Sequence, residues 1–409
     1  MNPFSVLARH RNFRLFWLGQ TTSLIGSWMQ SMAQGWLALD LTNNAFLVGL
    51  VAAVGSLPVV LFSMHAGVLA DRYQRLWLVK VCQSLLAIEA ALLFWFTWSG
   101  RISIAWLLAL ATFQGVISAV EIPARQSLIV ELAGRDDLPQ AIALQSSGFN
   151  LARIVGPAIA ALIIAKFGIA WAFGVNALSY GAVLLSLFMI QLPPWQPRPV
   201  LVRPWEGIRE VFAYMRSTPM VGALMKLVTV SSVFGVPLLV LMPVFARNRL
   251  GLDASGYGLL LTSIGIGGFV GALGIAAQAG HQAGNRTLVA ATYAFPSLLV
   301  LLSTVTDSRM AYPLLFLTGI AMIVNGAVSN SMLQHIVPDT MRGRIMAAYS
   351  FVVVGLSQTL GAFVAGIVAR AAGVQWAIAF GAVLMLAYAL VVFRRPPLAR
   401  LVTREPRGS

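Results

Sequence analysis

The sequence predicts an all-α integral membrane protein with twelve transmembrane helices, on three observations: composition, hydropathy and the length of its apolar runs. Of the 409 residues, 58% are hydrophobic and 10% are charged, and the mean hydropathy is +0.82. An ordinary soluble domain carries about 25% charged residues, because much of its surface stays in contact with water. A soluble globular enzyme, a disordered chain and a secreted disulfide-rich protein are therefore excluded.

Twelve apolar stretches are long enough to cross a bilayer. A helix spans about 30 Å of hydrocarbon with about 20 residues, whereas the strands of a membrane barrel are shorter and alternate apolar with polar residues. The predicted spans are residues 13–39, 45–70, 76–98, 102–124, 140–165, 169–192, 220–246, 255–279, 287–306, 310–335, 344–369 and 376–393.

The basic residues indicate the orientation. With the N-terminus inside, twenty of the 28 Lys and Arg residues fall in cytoplasmic segments, six fall outside, and Arg153 and Lys226 lie within spans. Cytoplasmic loops carry such an excess, so both termini are expected in the cytoplasm. The net charge of +15 then reports orientation rather than nucleic-acid binding. The single cysteine, Cys82, excludes an intrachain disulfide and a cysteine-based metal site.

The spacing of the spans divides the chain into two halves. Most loops are short, but residues 193–219 form a cytoplasmic linker that begins with prolines and ends in an amphipathic stretch, which we expect to lie on the membrane surface. The predicted organisation is an N-terminal six-helix bundle at 1–192, this linker, a C-terminal six-helix bundle at 220–393 and a basic cytoplasmic tail at 394–409.

Two loops at equivalent positions resemble each other weakly. Residues 128–144, between spans four and five, and residues 332–348, between spans ten and eleven, both contain an apolar helix end, an acidic–basic turn and a helix start rich in small residues. This pattern indicates duplicated six-helix halves. Such halves are typical of secondary transporters, whose substrate site lies near the midplane between them.

The loop after span two carries a signature motif. It reads GVLADRYQR, in which Gly67 permits close helix approach, Asp71 can face a helix N-terminus and Arg72 and Arg75 can anchor the cytoplasmic end. The motif resembles the signature loop of the major facilitator superfamily, although Gln74 replaces a usual glycine. The resemblance implies that this loop gates the cytoplasmic side. The corresponding segment of the second half, residues 278–286, lacks the Asp-Arg pair.

Span five carries a second motif, in which Gly156 and Pro157 lie within RIVGPAIAA. It is similar to the antiporter motif of drug-efflux members of the superfamily, with alanines in place of three glycines. Together with the IPARQ segment at 122–126 and the loop at 339–347, it resembles the exporter branch related to the enterobactin exporter and macrolide efflux proteins. Small residues allow close packing of helices in a membrane, and proline loosens one point of the helix.

Three charged residues inside spans are candidates for proton coupling: Glu89, Glu121 and Arg153. Charges within the bilayer are costly and are functional candidates for that reason. Glu89 is equally well explained as a packed, hydrogen-bonded residue. Glu121 can pair with Arg125 one turn later. For Arg153 we favour a buried contact with Glu121 that changes with conformation.

A further set of residues is expected to line the substrate cavity, because spans one, four, seven and ten line it in the superfamily. Methionine, aromatic and amide side chains suit a bulky amphipathic ligand, although ordinary helix packing explains many of them as well. The cavity candidates are Trp28, Met29, Met32, Gln34, Gln114 and Asn325.

These observations predict a secondary active transporter that exports an amphipathic small molecule, of the drug or siderophore type, by proton antiport with alternating access. The alternatives are a facilitator or lysolipid flippase of the same fold and, remotely, a polytopic membrane enzyme. No phosphate-binding loop is present, so no ATPase activity is expected. We expect no cofactor and no metal, a monomer in the bacterial inner membrane, and protons, lipid and a small-molecule substrate as partners.

Overall fold

A computed structural model describes residues 5–134, 136–192, 204–277, 285–394 and 398, without the side chains of residues 63–72 and 204–208. Residues 1–4, the prolines that open the linker, most of segment 278–286 and nearly all of the tail lie outside this description. The described residues are almost entirely helical and include no β-strand. The predicted all-α fold is confirmed.

The helices follow the predicted spans in order. The first half contains α1 (Ser5–Arg9), α2 (Arg11–Thr42), α3 (Ala45–Arg72), α4 (Arg75–Trp98), α5 (Ile104–Ala133), α6 (Leu138–Phe167) and α7 (Ala170–Met189). The second half contains α8 (Pro204–Ser217), α9 (Pro219–Gly235), α10 (Leu238–Asn248), α11 (Ala254–Ala277), α12 (Asn285–Thr304), α13 (Ser308–Ile336), α14 (Asp339–Ser350), a π-helix (Phe351–Gly361), α15 (Ala362–Ala372) and α16 (Val374–Val392).

Among the described residues, eleven helical segments are long and apolar enough to cross a membrane. Two of them are composite, because α9 and α10 form one segment and α14, the π-helix and α15 form another. Helix α2 is the twelfth long helix, with 32 residues. It is less apolar because it carries Gln20, Gln30 and Gln34, and all three side chains are buried. The amides of α2 therefore belong to the interior of the bundle.

Two spans are less regular than their apolar patterns predict. The span expected at 220–246 breaks between α9 and α10, where Pro237 has no N–H to continue the helix ladder. The span expected at 344–369 begins five residues earlier, at Asp339, and contains the π-helix. A π-helix has i→i+5 hydrogen bonds, is rarer than an α-helix and is frequent at functional sites.

The chain forms two compact units. The first contains Met1–Asn43, Val54–Val202 and Asp253–Thr262, and the second contains Asn44–Ala53, Arg203–Leu252 and Ser263–Ser409. Helices α3 and α11 therefore each contribute to both units. In the first unit, Gly258 of α11 packs against α6. In the second unit, Gly49 of α3 packs against α15, where a Cβ would lie 2.6 Å from the carbonyl oxygen of Ala362.

Each unit has its own apolar core. In the first, Phe13 and Phe16 of α2 pack with Leu128 of α5 and with Tyr180 and Val183 of α7. In the second, the core residues come from α9, α12, α13, α14 and the end of α16, and they include Leu224, Leu288, Val328, Ile345 and Phe393. The apolar side chains that remain exposed are numerous and large, as a bilayer-facing surface requires.

A short surface helix precedes the first span of each half and is bound by an ion pair. In the first half, Arg9 at the end of α1 and the adjacent His10 contact Asp137, at distances of 3.2 Å and 2.9 Å. In the second, Glu210 of α8 pairs with Arg344 of α14. The hydrogen bond from His10 and the charge of Arg9 lower the pKa of Asp137 from its ordinary value. Each of these short helices is thus bound at the start of the fifth span of its own half.

Candidate functional site

A chain of buried hydrogen bonds crosses three helices of the first unit. Gln30 of α2 donates from Nε2 to Oε2 of Glu89 in α4, over 2.9 Å, and its Oε1 accepts from Nδ2 of Asn176 in α7, over 2.7 Å. All three side chains are 0% exposed. Buried polar groups are stable only when they are hydrogen-bonded, so the three residues fix the relative rotation of these helices.

Gly26 creates the space for this chain. Ser179 lies about one turn further along α7 than Asn176, and its hydroxyl donates to Oδ1 of Asn176 over 3.1 Å. A Cβ on residue 26 would lie 3.0 Å from the Cβ of Ser179 and closer still to both polar oxygens. Glycine in α2 therefore lets α7 approach closely enough for Asn176 to reach Gln30.

A second polar cluster lies between α4 and α5. Arg125 donates from Nε to Oε1 of Glu121 over 2.8 Å, and Gln83 donates from Nε2 to the same oxygen over 3.1 Å. Gln20 of α2 lies 3.5 Å from Gln83. The i,i+4 pair of Glu121 and Arg125 that the sequence predicts is confirmed. Glu121 is therefore both buried and charge-compensated.

The two buried carboxyl groups have different surroundings. Glu121 has an arginine partner, whereas Glu89 has one neutral amide donor, and its Oε1 meets no hydrogen-bond partner among the described residues. An ionised carboxylate buried without a counter-charge is costly, and the cost falls when the group binds a proton. Of the two, Glu89 is the carboxyl group without a counter-charge in the described part of the chain.

Arg153 lies in α6 without a carboxylate partner in the described part of the chain. Its Nη2 donates to Oδ1 of Asn150 over 3.1 Å, and its buried Nε has no partner there. The predicted contact with Glu121 is wrong for this structure. Glu121 is instead bound by Arg125, one turn away on its own helix, and by Gln83.

The predicted cavity residues lie in different environments. Met29 and Met32 are almost fully buried and pack between helices, and Gln34 is 8% exposed with an Nε2 that meets no partner among the described residues. Gln114 of α5 is half-buried. In the second unit, Asn325 donates to Oγ1 of Thr292 over 2.9 Å.

Trp28 is half-buried and meets Phe149 of α6 edge to face, with ring centroids 5.6 Å apart. The antiporter-like motif of α6 packs on the same part of α2. A Cβ on Gly156 would lie 2.6 Å from the Cβ of Trp28 and 2.8 Å from the carbonyl oxygen of Ile25. Pro157 is buried, and its carbonyl oxygen would meet a Cβ on Gly258 at 2.9 Å. Small residues thus set the distance between α2, α6 and the start of α11.

The signature loop is described only in part. Helix α3 continues to Arg72, so the backbone of Gly67, Asp71 and Arg72 is helical, while their side chains lie outside the described residues. Arg75, the first residue of α4, pairs with Glu131 near the end of α5. The last arginine of the motif therefore connects two helices of the first unit.

Sequence reasoning missed the amides that complete these clusters. Gln83 and Asn176 lie in spans three and six, which are not expected to line the cavity, so the set of cavity candidates does not contain them. A signal was nevertheless present, because an amide within an apolar span needs a partner on another helix. Their partners depend on helix rotation, which a single span does not reveal.

The fold defines the class as a polytopic membrane protein whose helices bury polar groups between them. The chain matches the family model described as "Transmembrane secretion effector" over residues 1–403. It belongs to that family, an exporter branch of the major facilitator superfamily, and is a multi-pass protein of the bacterial inner membrane and not an enzyme.

Two relatives are siderophore transporters by name. The enterobactin exporter EntS of Shigella flexneri is 27% identical over 355 residues, which are 83% of this chain and 81% of that protein. The staphyloferrin A transporter of Staphylococcus aureus is 33% identical over 165 residues, and the match spans 40% of this chain and 42% of that protein.

Solved structures share the fold at low identity. A bacterial homologue of the human lysosomal transporter Spinster, in an inward-facing and unoccupied conformation, has a TM-score of 0.75 at 14% identity, with 97% of this chain and 98% of that one covered. The nucleoside transporter NupG has a TM-score of 0.69 at 13% identity, with 99% of this chain and 100% of that one covered. The predicted superfamily, exporter branch and fold are confirmed.

Proposed function

We propose that this protein exports an amphipathic small molecule, of the siderophore or drug type, by proton antiport, and that Glu89 carries the proton. That the chain is a secondary transporter of a small molecule follows from its family. The names of the two relatives favour a siderophore as cargo. The observation that carries the coupling proposal is the environment of Glu89, which is fully buried and has no counter-charge among the described residues.

The hydrogen bonds around Glu89 provide a way to couple its proton to helix movement. Gln30 joins Glu89 to Asn176, so α2, α4 and α7 share one chain of donors and acceptors. A protonated Glu89 needs no further donor, whereas an ionised one needs water or a cation. Release of the proton therefore favours a helix arrangement in which Glu89 meets water.

Glu121 takes a supporting role in this proposal. Its pairing with Arg125 supplies a counter-charge, and Gln83 connects it toward α2. We assign Glu121 to holding α4 and α5 together, with proton transfer centred on Glu89.

The rest of the mechanism follows the superfamily scheme. The N-terminal bundle at 1–192 and the C-terminal bundle at 220–393 alternate access to a central site, and the signature loop at 67–75 gates the cytoplasmic side. The protein acts as a monomer with both termini in the cytoplasm, and the antiporter-like residues Gly156 and Pro157 restrict leakage where α6 packs. The contacts of Gly156 with α2 support this assignment.

Proteoliposomes test the coupling. Purified protein is placed in vesicles with an interior one pH unit more acidic than the medium, and uptake of enterobactin, ethidium and erythromycin is measured with and without a protonophore. One proton crossing one pH unit releases about 1.4 kcal/mol, enough for an about tenfold gradient of a neutral cargo. We expect at least one compound to accumulate and the protonophore to abolish accumulation.

Glu89→Gln separates coupling from binding. Glutamine has the size of glutamate and forms hydrogen bonds, but it cannot exchange a proton. Uptake driven by the pH gradient is therefore expected to fall to background, while exchange of cargo across the membrane persists. Asp136→Asn, an exposed carboxylate before α6, is the matched control and should behave as wild type. Accumulation that persists in Glu89→Gln contradicts the role of Glu89, and protonophore-insensitive flux by the wild type indicates a facilitator instead.

A further inference from the structure

Arg153 is a cation in the middle of a membrane-spanning helix. It is the sixteenth of the 30 residues of α6, Leu138–Phe167, so at 1.5 Å per residue it lies about 22 Å along the axis from the first residue of the helix. That distance is too large for the side chain to reach either membrane surface. Arginine at this depth requires a partner, because its guanidinium is always charged.

The two buried carboxyl groups of the described first unit, Glu121 and Glu89, bind other groups. Glu121 is bound by Arg125 and Gln83, and Glu89 is bound by Gln30. In the described residues, Arg153 has one hydrogen bond, to the neutral Asn150, and a buried Nε with none. Most N–H donors of its guanidinium are therefore unused by the described residues.

An aromatic pair packs on the face of α6 that carries Arg153. Positions 149, 153 and 156 lie on one face of α6, at the i, i+4 and i+7 spacing. Phe149 meets the Trp28 ring, and Gly156 lies against the Trp28 Cβ. The Trp28 side chain therefore runs along α6 past the level of Arg153. Phe149 is 44% exposed and Trp28 is half-buried, so this aromatic pair is accessible on the face of α6 that carries Arg153.

We propose that Arg153, with Trp28 and Phe149, binds the anionic group of the cargo, and that the cargo is an amphipathic anion with a carboxylate or a similar oxyanion on an aromatic or apolar body. This assignment rests on the proposed export function and replaces the coupling role predicted for Arg153. A guanidinium fork binds a carboxylate through two parallel hydrogen bonds. The cargo supplies the counter-charge that the described part of the chain does not.

A pair of matched probes tests this proposal by binding alone. Pyrenebutyrate and its methyl ester share one aromatic body and differ in the carboxylate. Each is titrated onto the full-length protein in lipid nanodiscs, with energy transfer from protein tryptophan to pyrene as the signal and empty nanodiscs as the blank. Wild-type protein is expected to bind the acid at least tenfold more tightly than the ester, a difference of about 1.4 kcal/mol.

Variants of Arg153 then locate the effect. Arg153→Met should weaken binding of the acid at least tenfold and leave the ester unchanged, while Arg153→Lys should fall between the two. Lys166→Met removes an exposed charge near the outer end of the same helix and should leave both affinities unchanged. In the absence of probe, Arg153→Met should unfold at the same temperature as wild type or higher, because it removes an uncompensated charge.

Clear results would overturn the proposal. The proposal is overturned if the wild type binds the acid and the ester with equal affinity, or if it does not bind the acid. Unchanged binding of the acid by Arg153→Met does so as well. If proton-driven export fails while the acid still binds through Arg153, only the proposed function is lost. If export persists in Arg153→Met with unchanged affinity, only the role of Arg153 is lost.

Discussion

Gly26→Ala should disrupt the buried chain from Asn176 to Glu89 without replacing any of its polar side chains. The new Cβ would lie 3.0 Å from the Cβ of Ser179, where ordinary contacts begin at 3.4 Å, and closer still to the polar oxygens of Ser179 and Asn176. Either α7 shifts by several tenths of an ångström or Asn176 turns away from Gln30. In both cases the 2.7 Å hydrogen bond between Asn176 and Gln30 is weakened.

The expected magnitude follows from three terms. Overpacking of an interior costs about 1–3 kcal/mol, and loss of a buried hydrogen bond costs about 1 kcal/mol. Replacing glycine by alanine within a helix stabilises the folded state by about 1 kcal/mol. The net destabilisation is about 1–3 kcal/mol, which lowers the melting temperature of a chain of this length by about 1–4 °C.

Cys82 provides the assay. It is the single cysteine and is buried at 4% exposure in α4 of the same unit, so a thiol-reactive fluorescent dye reports unfolding of this region in detergent. Gly181→Ala in α7 is the matched control, because a Cβ there meets no atom within 4 Å. It should melt at the wild-type temperature or slightly above. If Gly26→Ala melts within 1 °C of Gly181→Ala, the close approach at Gly26 has no energetic role and the reasoning is refuted.

Two further predictions concern packing and pH. Because hydrogen bonding to His10 lowers the pKa of Asp137, the ionised form stabilises the fold above the ordinary value of 3.8, and this stabilisation is lost as the pH falls through the lowered native value. Asp137→Asn should therefore melt below wild type at neutral pH, by intrinsic tryptophan fluorescence, and the gap should close in acid; a constant gap would contradict this. Gly258→Val should separate α11 from α6, since even a Cβ would lie 2.6 Å from the Cβ of Ala161. In a Cys82→Ala background, Ala161→Cys should then react faster with a maleimide, and an unchanged rate would argue against this contact.

The membrane spans could be predicted from the sequence because length and hydropathy need no tertiary information. Each predicted span overlaps an observed helical segment. Helix α2 shows that a predicted span can contain several amide side chains when they are buried inside the protein. The π-helix at Phe351–Gly361 could not be predicted, since its residues are ordinary apolar and small ones. Nor could the division of α3 and α11 between units, which depends on long-range packing.

The candidate site was predictable as a set of residues but not as a set of contacts. Glu89, Glu121 and Arg153 stand out because charge within a span is rare, yet only the pair formed by Glu121 with Arg125 followed from spacing. The expected contact between Arg153 and Glu121 failed because a partner one turn away on the same helix needs no particular helix rotation. Contacts between helices, such as the one from Gln30 to Glu89, depend on how each helix is turned.

The ion pairs of the two surface helices have opposite polarity, and this has a consequence for assembly. In the first half Arg9 of α1 supplies the cation and Asp137, before α6, supplies the anion, whereas in the second half α8 supplies Glu210 and α14 supplies Arg344. If the surface helices exchanged places, arginine would face Arg344 and Glu210 would face Asp137. Like charges repel, so the exchanged arrangement would lose both ion pairs and bring like charges together. The two ion pairs therefore favour the pairing of each short helix with its own half.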